Sequence, residues 1–435
     1  TPKSLKGFPG VTSFGNKISF CLTPKQSFEV LLLKIRFGCF KIKEMKILFP
    51  LVELCTLISV GELGINLEKF ITHLSKSGQE IQICLPFYKN LISPKNKIVP
   101  LTGKNYKGNI INLSGFPVSF WKAEFNKCSV YLIRNSDFFT YRPNVYGYED
   151  DNYRFSFYCL AFIELLKYIE KPDLIHVHDW HTALIPLLLK EKGFNIKTIL
   201  TIHNIYFQGL SEPDILNFIG LGPEFFRTNS LEFYNKVNLL KAGLLNADII
   251  TANSKNYLSE IQESPSVSNG LNGLLKQISN KSFAISYGIE ESYNPQKDKN
   301  IPFYYSIADL VGKINCKTQL QKELDLPIHT EIPILTIPSS QISGPEIWLL
   351  NSIIPYLIRM EIQIIILGNK LADFEKNIRE VAFRLNCTVI SVEDSDENMR
   401  KVFAGADIFL DTSADSRNDH LIKIALKYGV IPIVL

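Results

Sequence analysis

The chain has 435 residues, 46% of them apolar, and a formal net charge of +4. That length and apolar share support two or three packed domains, and a small charge spread along the chain excludes a strong electrostatic surface for nucleic acid. No uninterrupted apolar run reaches the length of a membrane span, so no membrane partner is expected.

The first 43 residues hold eight Lys or Arg and a single acid, Glu29, with several Ser and Phe. Organelle transit segments share that composition, and 1–43 is set apart as a transit-like, non-core segment. Met45 opens a strand, Lys46–Leu51, followed by the loop Ile58–Gly64. Leu67, Phe70, Ile71 and Leu74 then recur at helical spacing and form one buried face. Gly78 ends that helix as a left-handed cap, and Ile81–Leu85 is the next strand, so the run is a βαβ unit. His73 on this helix is expected to be a solvated or core histidine. Residues 90 to 145 read as short strands and turns, and Asp150–Leu166 as a helix whose aromatics face the core.

Two strands follow whose ends are chemically rich. Asp173–Val177 runs into His178-Asp179-Trp180-His181-Thr182-Ala183, and Thr198–Ile202 runs into His203-Asn204, then Ile205-Tyr206-Phe207-Gln208-Gly209. In an open α/β sheet ligands sit at the carboxyl ends of strands, so this edge is the candidate site. Leu231–Gly243 is predicted as a helix leading to the strand Asp248–Ala252, Phe283–Ile289 as a late strand, and Pro295–Pro302 as a polar crossover. From 331 the alternation restarts. Strands are expected at Pro333–Ile337, Ile362–Leu367, Thr388–Val392, Ile408–Leu410 and Ile431–Leu435, with helices near 345–358, 373–385 and 419–428. This is a second doubly wound unit, expected to be incomplete because it stops on an apolar strand. The expected domains are 44–300, a linker at 301–330, and 331–435. Eight cysteines (Cys21, Cys39, Cys55, Cys84, Cys128, Cys159, Cys316, Cys387) lack CxxC spacing and read as buried thiols in a reducing compartment.

From about Lys46 to Leu435 the sequence resembles plant starch synthases and bacterial glycogen synthases, glycosyltransferase family 5. The residues that carry the resemblance are His178–Ala183, Thr201–Asn204 with Gln208-Gly209, Glu232–Asn238 with Leu240–Gly243, and Gly270–Leu275. It implies the GT-B fold, with two Rossmann-like α/β domains facing a cleft. The first would hold an α-1,4-glucan acceptor and the second an ADP-glucose donor. It implies no metal or other cofactor. It places Asp179 and His203 at the glucosyl group, with Asn204 beside them. Trp180, Tyr206 and Phe207 would offer flat faces to sugar rings, and Gln208 completes the binding set.

The departures are as informative as the matches. The family's first loop reads Lys-x-Gly-Gly-Leu, and here Ser59 replaces the Lys, Gly61 is kept and Glu62 replaces a glycine. A carboxylate would face the donor's diphosphate there. The Arg and Lys that bind the leaving phosphate have no counterpart in Ser339–Gly344, which includes Ser340, and the family's catalytic Glu matches Ser416, with Asp415 one place away. Tyr287 replaces the Asn of an Asn-Gly-Ile-Asp loop. Losing one such charge-stabilising donor lowers a rate about a hundredfold or more, so transferase activity is expected to be lost while glucan binding survives. The chain is most similar to the atypical class V of plant starch synthases. That similarity implies a plastid protein that helps initiate starch granules through contacts with glucan and granule-initiation proteins. A metal hydrolase is the rival class, because His176, His178, Asp179 and His181 superficially resemble an HxHxDH site. The spacing is one residue short before Asp179, and His329 and His420 stand alone.

Overall fold

Parallel strands buried on both faces need continuous apolar runs, and the first strand, β1 (Lys46–Pro50), has Ile47, Leu48 and Phe49 fully buried. The computed structural model describes residues 44–434 apart from 59–61, 93–96, 104–105, 127, 287, 339–343, 369–387, 394 and 413–418. These residues lie in one compact unit, Lys43–Leu435, built on two main sheets.

The first sheet uses β1, β2 (Glu80–Pro86), β3 (Val99–Pro100), β4 (Ile111–Leu113), β5 (Phe116–Phe125), β6 (Cys128–Arg134), β7 (Leu174–His178) and β8 (Lys197–Ile202). A small separate sheet is made by β9 (Leu210–Ser211), β10 (Glu232–Phe233) and β11 (Lys236–Asn238), and β12 (Ile249–Ala252) and β13 (Ser282–Ala284) complete the first. Its order is β13-β12-β8-β7-β1-β2-β6-β5-β3, with β4 on β5. All neighbours are parallel except those of β5, which runs antiparallel to β3, β4 and β6. The chain builds outward from β1 through β2 and then returns to start β7 on the other side of β1, so the strand order reverses between β1 and β7. That reversal opens a crevice at the carboxyl ends of these two strands.

The helix expected from the apolar repeat after β1 spans Glu62–Lys76, with Leu67, Ile71 and Leu74 buried, and Gly78 turns the chain at φ +88°. Residues 231–243 differ from the sequence reading. They form the β10–β11 hairpin, and helix begins only at Leu239. Tyr234 and Asn235 at the tip have φ of +50° and +64°, both in the left-handed region a tight two-residue hairpin turn needs. Asn238 then caps the new helix, its side chain accepting from the Lys241 N–H.

The second sheet contains β14 (Ile334–Pro338), β15 (Gln363–Leu367), β16 (Thr388–Val392), β17 (Ile408–Asp411) and β18 (Ile431–Val434), all parallel in the order β16-β15-β14-β17-β18. Alternate residues serve opposite faces. Ile334, Ile365 and Leu367 pack with Phe403, Phe409, Ile424 and Tyr428, while Leu335, Ile337, Ile364 and Ile366 pack with Leu350 and Ile354. Expected helices near 345–358 and 419–428 are present as Gly344–Leu357 and Asp419–Lys427, and the one expected at 373–385 lies outside the described residues. The stretch 301–330, set down as a linker, contains a 13-residue helix, Val311–Glu323. Its Cys316 and Leu320 belong to the core of the second sheet, together with Ile301, Tyr305 and Leu326. Of the thiols, Cys84, Cys128, Cys159 and Cys316 are buried and free, and burial raises the pKa of each.

Candidate functional site

The register of β7 against β8 pairs His178 with Thr201, which brings the residues that follow the two strands together. Asp179 Oδ1 accepts the backbone N–H of His203 at 2.7 Å and of Asn204 at 3.2 Å. The carboxylate therefore ties the end of β8 to the end of β7. Asp179 itself stands at φ +49°, a conformation Asp tolerates better than most residues. The short helix Asp179–Thr182 starts at once, and Thr182 Oγ1 clasps His178, accepting from its N–H at 2.7 Å and donating to its carbonyl at 2.9 Å.

His176 and His178 share one face of β7 and their rings stack at 4.4 Å, with Phe49 against both. His176 Nε2 lies 2.7 Å from Thr201 Oγ1, which in turn lies 2.6 Å from Thr251 Oγ1. His178 Nδ1 lies 3.0 Å from His203 Nε2. Burial brings His176, His181 and His203 down to about 3. It also sets His178 well below the usual imidazole value, with His176 and His203 adding to the effect. Burial pushes the Asp179 carboxyl up to about 7, against the two N–H groups that favour its ionised form. At neutral pH this corner is a set of uncharged imidazoles around one carboxyl whose ionisation burial opposes. It can donate and accept hydrogen bonds without demanding a charged ligand.

The other predicted residues divide. Tyr206 and Phe207 are 65% and 58% exposed and meet edge to face at 5.4 Å, beside the half-buried Asn204, whose side chain accepts from the Tyr206 N–H. Trp180 and Gln208 do not line an open surface. Trp180 is buried, with Phe155 edge-on at 5.4 Å, and Gly209 passes so close that a Cβ there would stand 2.4 Å from the indole. The buried Gln208 amide is a brace, donating to the Ser268 carbonyl at 3.0 Å and accepting from Asn238 Nδ2 at 2.7 Å. Ser59, Gly61, Tyr287, Ser340, Asp415 and Ser416 lie outside the described residues. Glu62 and Gly344 are the first residues of the helices Glu62–Lys76 and Gly344–Leu357.

Sequence reasoning missed one wall of the site. A small pocket at the β1–β7 crevice is lined by Pro50, Leu51, Val52 and Glu53 after β1, by Leu63 and Leu67, and by His178, His181 and Thr182. Glu53 is buried there and accepts a hydrogen bond from Tyr146 OH at 2.9 Å. His178 Nε2 and His181 Nδ1 are buried in it with no hydrogen-bond partner among the described residues. The signal available was position alone, since Glu53 follows the first strand of a parallel sheet, where ligand crevices form. Among the described residues no three His, Cys, Asp or Glu side chains are grouped to hold a metal ion. His420 belongs to no such group. It stands against Tyr293 near Lys69, Lys423 and Glu290, and burial, reinforced by the two lysines, lowers it to about 4. Lys69 also bridges the first helix to Glu290 at 2.9 Å.

Residues 46–277 match the family model described as the starch synthase catalytic domain. The glycogen synthase of Lacticaseibacillus casei is 34% identical over 406 residues, which span 90% of this chain and 82% of that protein. Among solved structures, the catalytic domain of starch synthase IV from Arabidopsis thaliana, bound to ADP and acarbose, superposes with a TM-score of 0.74 at 25% identity, covering 90% of this chain and 83% of that one. Sucrose-phosphate synthase from Thermosynechococcus elongatus shares the fold, with a TM-score of 0.51 at 15% identity, over 90% of this chain and 81% of its own.

Proposed function

The chain belongs to the starch and glycogen synthase family of glycosyltransferases, with the GT-B fold, and from that premise we propose that it binds α-1,4-glucan at the ends of β7 and β8 without elongating it. The observation that carries this reading is the pair of neutral imidazoles, His178 and His203, set around the Asp179 carboxyl, with Tyr206 and Phe207 exposed beside them. A neutral, hydroxyl-rich chain with apolar ring faces fits such a surface better than an anion does. The loss of transfer chemistry is supported by the sequence. Ser59 and Ser340 stand where the family has cations, Glu62 where it has glycine, and Ser416 where it has a catalytic carboxylate. A leaving diphosphate without fixed cations loses several kcal/mol of transition-state stabilisation, about a hundredfold or more in rate for each donor. Granule initiation in a plastid, alongside other granule-initiation proteins, is the role this reading assigns. The basic, acid-poor first 43 residues support the location.

The second reading is an active synthase that transfers glucosyl units from ADP-glucose to the non-reducing end of the glucan. Identity of 34% to a glycogen synthase favours it. Two measurements on one preparation separate the readings. Retention by amylopectin with no incorporation of radiolabel from ADP-glucose supports the binding protein. Incorporation above blank, or micromolar binding of ADP-glucose, overturns the loss of chemistry. Absence of amylopectin retention overturns the glucan site.

A further inference from the structure

The hairpin that the sequence hid carries an aromatic ring into solvent. We propose that Tyr234 is a further sugar-stacking platform, continuous with Tyr206 and Phe207, so that the glucan site extends from the strand ends to the tip of the β10–β11 hairpin. This rests on the glucan-binding reading above and lengthens the same site.

Tyr234 is 77% exposed, more than either Tyr206 or Phe207. It also occupies the left-handed region at φ +50°, which costs an L-residue with a bulky side chain about 1–2 kcal/mol. Gly or Asn at the tip would relieve the backbone and leave less apolar surface in water. The backbone of the turn therefore gains nothing from a bulky residue at this position.

The ring is nonetheless held in place. Phe233 meets it edge to face at 4.7 Å, and the Asn235 N–H donates to Glu232 Oε1 at 2.9 Å, which fixes the turn. Gly270 runs beneath, where a Cβ would come within 3.2 Å of both the Phe233 and Tyr234 rings.

The same turn joins this ring to the strand-end site. Asn269 Nδ2 donates to the Tyr206 carbonyl at 3.3 Å, and Gln208 Nε2 donates to the Ser268 carbonyl at 3.0 Å. Residues 268–270 are thus braced to Tyr206–Gln208 on one side and contacted by Phe233 and Tyr234 on the other. His203 and Asn204 lead directly into Tyr206 and Phe207. The exposed rings of Tyr206, Phe207 and Tyr234 share these loops with the uncharged amides of Asn204, Asn235 and Asn269, and the exposed Lys236 beside the tip is paired with Glu212 at 2.8 Å. An extended neutral polysaccharide presents the matching pattern of C–H faces edged by hydroxyls, whereas a nucleotide or an acidic peptide would need cations.

The test is binding of the full chain and its variants to amylopectin, to a long maltooligosaccharide and to maltose. Y234N keeps a residue suited to the left-handed turn, so its thermal midpoint is expected to hold or rise. Its dissociation constants for the two long ligands are expected to weaken about tenfold, while maltose, too short to reach the hairpin, binds as before. Y234F and Y234W retain a flat ring and are expected to bind like the unmodified chain. Long-glucan binding by Y234N equal to that of the unmodified chain overturns the platform and leaves the strand-end site standing, and so does a Y234F loss as large as that of Y234N. An unmodified chain that binds no glucan at all overturns both readings.

Discussion

His178 and His203 meet across one shared proton, with Nδ1 of the first 3.0 Å from Nε2 of the second. Two neutral rings in this contact must take complementary roles, one donating and one accepting. The tautomer of the ring facing the β1 crevice therefore sets the tautomer of the ring at the end of β8. A charge on either ring would sit inside a stack that already includes His176 and Phe49.

That arrangement predicts sharp acid lability. The fold holds His176, His181 and His203 at about 3 and His178 well below its ordinary value, whereas unfolded imidazoles titrate near 6.5. Below pH 6.5 the unfolded chain binds more protons, so stability falls as pH falls. Asp179 works in the opposite sense. Its folded value is about 7, above the ordinary 3.8, so the stability it contributes is present in acid and is lost as pH rises through 7. The four lowered imidazoles outnumber the one raised carboxyl, so near pH 5 unfolding takes up protons on balance and stability falls with falling pH. Thermal midpoints are expected to drop steeply from pH 6.5 to 5. A flat profile over that range would contradict the neutral, buried cluster.

Asp179 separates its acceptor role from its charge. D179A leaves the N–H groups of His203 and Asn204 without their oxygen and is expected to cost about 2–4 kcal/mol in urea unfolding. D179N keeps an acceptor, accepts φ +49° and removes a charge that burial opposes. It is expected to stay within about 1 kcal/mol of the unmodified chain at pH 8. Equal losses for the two variants would show that ionisation, and not the clamp on β8, holds this corner.

Two glycines give opposite expectations. A Cβ at Gly209 would fall 2.4 Å from Trp180 at a φ of +62°, so G209A is expected to lose about 2–4 kcal/mol and to shift Trp180 fluorescence. Gly273 lies in the helix Asn272–Gln277 with nothing among the described residues within 4 Å of its missing Cβ, so G273A is expected to gain about 0.5–1 kcal/mol. If G209A unfolds at the same urea concentration as the unmodified chain, the packing of Trp180 against this backbone is wrong.

What could be read from the sequence follows the same physics. The parallel strands β1, β7, β8, β14 and β15 are visible because burial on both faces demands largely apolar runs. The end of β7 was visible because polar residues interrupt such a run abruptly. The sequence suggests ligand contacts at Trp180 and Gln208 because one dimension does not show which side of a turn faces the core. The hairpin at 232–238 is hidden because Tyr-Asn lacks the Asn-Gly signature of its turn, and Phe233, Val237 and Leu240 fall at i, i+4 and i+7 and imitate helical spacing. The helix Val311–Glu323 was hidden for another reason. Lys317 and Gln321 are buried in it and Lys313 nearly so, satisfied by hydrogen bonds, so its inward face is not an apolar stripe.

That helix gives the last prediction. Lys317 Nζ donates to the Thr330 carbonyl at 2.8 Å and to Asp407 Oδ2 at 2.8 Å, and the same carboxylate oxygen accepts the Ile334 N–H at 2.8 Å at the start of β14. The two partners are unequally placed, since the lysine side chain is 7% exposed and the aspartate 36%. Removing the ammonium leaves a carboxylate that still holds a backbone N–H and reaches water, so K317M is expected to cost about 1 kcal/mol or less. Removing the carboxylate leaves a buried cation with one carbonyl and frees the β14 N–H, so D407A is expected to cost about 2–4 kcal/mol. The double variant should recover most of the D407A loss, because the uncompensated charge is gone. Urea midpoints of the three variants check this, and a double variant no more stable than D407A would place the loss in the β14 hydrogen bond alone.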